Sequence, residues 1–157
     1  MNTQSNFQIR PLSSEVADLA RKTCVDGFGN ALEVVRDGNP HQCRVCLTLS
    51  QSDEGVILLA HRPFESNQPY AETGPIFVHE RVCQPYSNSS TYPPEFPRSA
   101  VVLRGYSAED RIVDAQAVGE RVVEDVIAEM FANPMIEYLH ARNLGYGCFM
   151  FRINRDF

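Results

Sequence analysis

SAVVLRGYSAEDRIVDAQAVGERVVEDVIAEMFANPMIEYLHARNLGYGCFMFRIN, residues 99–154, sets the expectation for the fold. SAVVLRGY and DRIVDAQAV read as strands joined by a short polar turn around Ser107 to Asp110, which predicts an antiparallel pair. From Gly119 to Ala132 the apolar period changes. Val122, Val123, Val126, Ile127, Met130 and Phe131 fall on one stripe, with Glu120, Glu124, Asp125 and Glu129 opposite, as in an amphipathic helix. Asn133-Pro134 ends it, because proline cannot continue the helical ladder. MIEYLHAR and GCFMFRIN predict two further strands around a loop with Gly145 and Gly147. The order is ββαββ. The expected class is therefore α+β, a mostly antiparallel sheet with one long helix in the C-terminal half.

Outward from that unit the signals weaken, and residues 1–95 read as a loop-rich N-terminal half. FQIRPL predicts a short strand stopped by Pro11. Ser13 or Ser14 can cap a helix through Lys22 that buries Val16, Leu19 and Ala20. Val25 to Pro40 is rich in turn residues and has no readable period. CRVCLTL alternates as a half-buried strand does, GVILLAHRPF predicts a strand buried on both faces, and IFVH predicts a third. Gln84 to Pro97 holds prolines and a Ser/Asn run, which suits a surface loop joining the halves. A chain of 157 residues, 43% hydrophobic, is expected to build one domain around one core.

A net charge of −6 argues against a general nucleic-acid binder and against attraction to anionic membranes. No basic stretch followed by an apolar one opens the chain, and no apolar run reaches membrane-spanning length, so a cytoplasmic protein is expected. Five cysteines then read as thiols or ligands rather than a disulfide framework. Lys22 is the one lysine beside thirteen arginines. Either codon usage or a need for planar, bidentate anion recognition accounts for that bias.

The densest chemistry lies in HQCRVCL and IFVHERVC. Cys43 and Cys46 have the two-residue gap of a metal knuckle, and His79 and Cys83 have a three-residue gap. Three thiolates and an imidazole make a closed tetrahedral zinc site, provided that the hairpin between the clusters brings them together. The 32 residues separating the pairs are more than compact fingers use, and Leu47 stands where a knuckle often has glycine. The competing reading packs the cysteines as small hydrophobes, with His79 bonded to a backbone carbonyl. A redox role for Cys43 and Cys46 lacks the helix N-terminus that lowers a thiol pKa.

CRVCL, HRPF at 61–64, PYAETGPIFVH at 69–79 with Cys83 behind it, RGYSAEDRIVDA at 104–115, YLHARN at 138–143 and CFMFRINR at 148–155 together resemble the bacterial protein family DUF1203. The resemblance runs from Phe7 onward. It implies a small single-domain protein, and it carries no activity or cofactor, because that family has none assigned. The family pattern often reads Cys-Arg-His-Cys where this chain has Val45, whereas the cysteine pair, His79 and Cys83 match the motif positions.

A second class of function remains open. Arg62, Tyr70, Arg104, Arg111 and Arg142 could line a pocket for a small anionic ligand, with Glu72 or His140 as general base. Glu72 sits in a loop bounded by proline and glycine, where a carboxylate also serves simply to cap backbone N–H groups. No G-x-S-x-G elbow, glycine-rich phosphate loop or HExxH motif is present, so neither a reaction nor an oligomeric state can be read from the sequence.

Overall fold

The computed structural model describes residues 6–156. In chain order its elements are β1 (Phe7–Arg10), α1 (Ser14–Thr23), β2 (Glu33–Val35), β3 (Val56–His61), β4 (Gly74–His79), β5 (Val101–Tyr106), β6 (Ile112–Ala117), α2 (Val123–Phe131), β7 (Tyr138–Asn143) and β8 (Phe149–Arg155). Five strands form one antiparallel sheet in the order β1-β8-β7-β5-β6, and three form another in the order β2-β3-β4.

The expected α+β class with a long helix is wrong. The described chain is mostly β, and its helices are short, ten residues in α1 and nine in α2. The apolar stripe does exist, with Val123, Val126, Ile127, Met130 and Phe131 buried, but it does not start where periodicity placed it. Gly119 takes φ +60° and turns the chain out of β6, with its N–H on the Ser99 carbonyl. Val122 is exposed and offers no side-chain acceptor as a cap, so helix begins only at Val123. Burial at about 1.5–3 kcal/mol per large apolar side chain, rather than capping, holds α2 against the sheet.

The larger core lies between α2 and one face of the five-stranded sheet, through Ile9, Val101, Leu103, Leu139, Phe151 and Ile153. Tyr92 and Phe96 of the proline-rich crossing also enter it, so that segment is no mere surface loop. A smaller core joins α1 to β3 and β4 through Ala17, Ile57, Leu59, Ile76 and Val78. Leu19, expected inside α1, faces out. CRVCLTL is not a strand: Leu47 has φ +56° and its N–H bonds back to the Cys43 carbonyl at 3.0 Å, closing a turn. Strand β2, unread in the sequence, is three residues paired to β3. Among the described residues no helix is long and apolar enough to cross a membrane.

Candidate metal centre

Strand β4 runs antiparallel to β3 and returns the chain beside the residues that precede the hairpin. His79, at the end of β4, thereby meets the Cys43–Leu47 turn, and its backbone N–H donates to Cys43 Sγ at 3.3 Å. The ligand atoms of Cys43, Cys46, His79 and Cys83 all lie within 4.8 Å of one another. Cys43 Sγ and Cys83 Sγ are 3.7 Å apart, and Cys46 Sγ is 3.4 Å from His79 Nδ1. Metal bonds of ~2.3 Å to sulfur and ~2.0 Å to nitrogen give tetrahedral edges of about 3.8 and 3.5 Å, so the observed spacings fit this donor set. Cys43 and His79 are fully buried, and all five cysteines are free thiols. Leu47 supplies the left-handed turn conformation that glycine often provides, and its side chain enters the larger core. Val45 is a buried hydrophobe of the smaller core.

A second layer orients these groups. Glu54 Oε2 lies 2.7 Å from His79 Nε2, which leaves Nδ1 facing the sulfurs, and Arg81 reaches the other Glu54 oxygen at 3.3 Å. The Thr48 hydroxyl is 3.1 Å from Cys46 Sγ. Arg21 of α1 donates to the carbonyls of His79, Glu80 and Arg81, which fixes the backbone leading to Cys83. Neither Glu54 nor Arg21 stood out in the sequence. One lies in a polar turn and the other on a helix, and only the register Val56↔His79 places Glu54 behind the imidazole.

The charges follow from this crowding. Hydrogen bonds from Cys43 and Cys83 hold the Cys46 thiol far below its ordinary range, whereas Cys43 and Cys46 push Cys83 up. Thiolates at Cys43 and Cys46 raise His79 to about 10. The group titrates as a unit. Neighbouring Arg44 is buried between the cysteines, donating to the carbonyls of Phe149 at 2.7 Å and Gln42 at 2.6 Å. Burial lowers it to about 10, which still leaves it charged at neutral pH.

The other sequence-selected residues do not form one site. Glu72 pairs with Arg104 at 2.8 Å and with Arg142 at 3.3 Å, which gathers these three into one ion-pair cluster, although the Arg142 Nε and Nη2 have no hydrogen-bond partner among the described residues. Tyr70 is exposed, with the Arg111 guanidinium 5.7 Å from its ring centroid. Arg62 bonds to the Ser66 carbonyl at 2.6 Å. His140 is buried among the rings of Phe64, Tyr106, Tyr138 and Phe149, at 4.9–5.2 Å between centroids. Burial first, and then the charges of Arg142, Arg152 and Arg104, hold it well below its ordinary value, so the imidazole is neutral.

No curated protein and no solved structure matches the chain. A family model described as "Protein of unknown function (DUF1203)" matches residues 39–155, which take in all four clustered ligands and every strand from β3 to β8. The chain therefore belongs to the DUF1203 family.

Proposed function

We propose that this protein holds one zinc ion between Cys43, Cys46, His79 and Cys83, and that the ion is structural. The convergence of four soft ligand atoms within 4.8 Å carries this reading, together with the carboxylate set behind the histidine. Four protein ligands close a tetrahedron and leave no position for water or substrate. Bound there, zinc contributes folding free energy rather than chemistry. It ties the 43–47 turn to the β3–β4 hairpin and, through Arg21, to α1.

The test is metal analysis of protein purified without a metal-chelating tag, with thiols counted before and after denaturation. About one equivalent of zinc is expected, with three thiols protected in the native state. Exposed Cys24 should react at once. Chelation should raise amide exchange over residues 40–85 before it does so in strands β5 to β8. Protein without metal whose five thiols all titrate freely sinks the proposal.

A further inference from the structure

The face of the five-stranded sheet turned away from α2 carries an unusual row. Register sets Arg104 opposite His140, His140 opposite Arg152, and Arg152 opposite Arg10, across β5, β7, β8 and β1. Directly opposed residues share a face, and like charges so placed repel. His140 is neutral and Arg104 is paired with Glu72, whereas Arg10 and Arg152 face each other with no ion-pair partner among the described residues, Arg152 lying over the Tyr138 ring at 3.7 Å.

The wider arginine set sharpens the point. Among the described residues seven arginines form ion pairs with carboxylates: Arg21, Arg36, Arg81, Arg98, Arg104, Arg121 and Arg142. Arg44 and Arg155 are satisfied by backbone carbonyls, and Arg111 lies over Tyr70. The remaining three are Arg10, Arg62 and Arg152, and all three line one cleft of about 340 Å³. Each makes a single hydrogen bond to a neutral acceptor, namely Gln8, the Ser66 carbonyl and Asn154. Two carboxylates also border the cleft. Asp110 is engaged by the hydroxyls of Ser66 and Tyr138, whereas Glu65 is exposed at the rim.

His140 also lines this cleft, and neither of its ring nitrogens has a hydrogen-bond partner among the described residues. The Arg62 Nε is likewise buried without one. Such orphaned groups cost stability and call for an explanation. Leu12, Val16, Phe64 and Phe149 supply apolar wall, and His61 and Tyr138 border it.

We propose that this cleft binds a small organic oxyanion, a carboxylate or phosphate group carried on an apolar or planar body. The headgroup meets Arg10, Arg152 and Arg62, which relieves their repulsion, and the body lies against Phe64, Leu12 and Val16. The volume is at the lower end for small-molecule sites, so the ligand is compact. This inference goes beyond the zinc reading and does not depend on it.

The experiment titrates zinc-loaded protein with phenyl phosphate, benzoate, inorganic phosphate and, as a cationic control, benzylamine, following the imidazole nitrogen signals and calorimetric binding. Phenyl phosphate or benzoate is expected to bind and to shift His140, whichever headgroup fits better. Arg152→Gln and Arg10→Gln should each weaken binding about tenfold or more, as loss of a charge-assisted bond implies. Arg121→Gln, at an ion pair on the exposed face of α2, should leave it unchanged. Should Arg152→Gln fail to fold, exposed Arg10 at the outer strand carries the test alone. Three outcomes overturn the proposal: no anion binds, the two variants bind as wild type does, or benzylamine binds equally well. Inorganic phosphate binding as tightly as phenyl phosphate overturns the organic body. Because zinc is measured on the same samples, failure here with zinc retained leaves the metal reading intact.

Discussion

Replacing Glu54 tests the zinc proposal without touching a ligand. Its carboxylate accepts from His79 Nε2 at 2.7 Å, on a ring with no solvent exposure. Burial opposes ionisation of Glu54, but the Gln51 N–H and the His79 charge outweigh it and keep the carboxylate below its ordinary value. It is therefore an anion at neutral pH, and it sets the tautomer and basicity of the ligating ring. Partners of this kind typically change metal affinity by about 10–100-fold when removed.

The two obvious substitutions should fall at opposite ends of that range. Glu54→Gln keeps an oxygen acceptor for the imidazole N–H and loses only the charge, so zinc affinity should fall about tenfold, ~1.4 kcal/mol. Glu54→Ala leaves that N–H buried with no acceptor, so the loss should approach a hundredfold, ~2.7 kcal/mol. Arg81, a half-exposed partner of the same carboxylate, serves as control, because Arg81→Gln removes an exposed ion pair worth at most about 1 kcal/mol. Competition for zinc against a chromophoric chelator at fixed pH measures all three. Wild-type affinity in Glu54→Ala, or a loss no larger than that of Arg81→Gln, would refute the reasoning.

Two further predictions concern the fold around the site. Asp26 accepts N–H groups from Phe28, Asn30 and Ala60 and the Asn30 side chain, which overcome its burial and lower it from 3.8 to about 2. A depressed folded value means that its contribution is complete above about pH 4 and drains as pH falls toward 2. Asp26→Asn should cost about 2 kcal/mol at neutral pH, with the difference from wild type shrinking across that acid window in urea titrations; a difference that stays constant counts against it. Cys24 closes α1 at φ +58° on an exposed position. Cys24→Gly should therefore stabilise by about 0.5–1 kcal/mol, the ~1–2 of left-handed strain less the ~0.4–1 lost to a freer unfolded chain. A lowered melting temperature refutes that.

The Cys43, Cys46, His79 and Cys83 cluster was legible because soft donors in tight pairs have few other uses, and because the β3–β4 hairpin does what its apolar runs predicted. Local pattern misled elsewhere. The alternation of Leu47 and Leu49 looked like a strand, yet it comes from a turn in which Leu47 adopts a conformation that the side chain disfavours and core burial pays for. The helical stripe continued into Val122, and only the turn at Gly119 shows where the helix can start. The basic row was invisible for another reason. Arg10 and Arg152 are neighbours through register alone, and Arg10 was never selected.

The two sites occupy complementary positions in the energetics of the chain. Among the described residues the larger core gathers nineteen buried ones, whereas the core around the three-stranded sheet has eight, and one of those is Cys43. A cluster of that size is too small to hold a sheet firmly without a staple. The proposed zinc falls on that half, and the 43–47 turn it organises reaches into the other half twice, through Leu47 in the larger core and Arg44 on the Phe149 carbonyl. Phe149 is also a wall of the cleft, as is His61 at the end of β3. The cleft thus lies where the two sheets meet, and its unpaired arginines and orphaned imidazole subtract stability there. The proposed zinc, beside the thinner core, would offset that cost from outside the cleft, through the same 43–47 turn that reaches the Phe149 carbonyl.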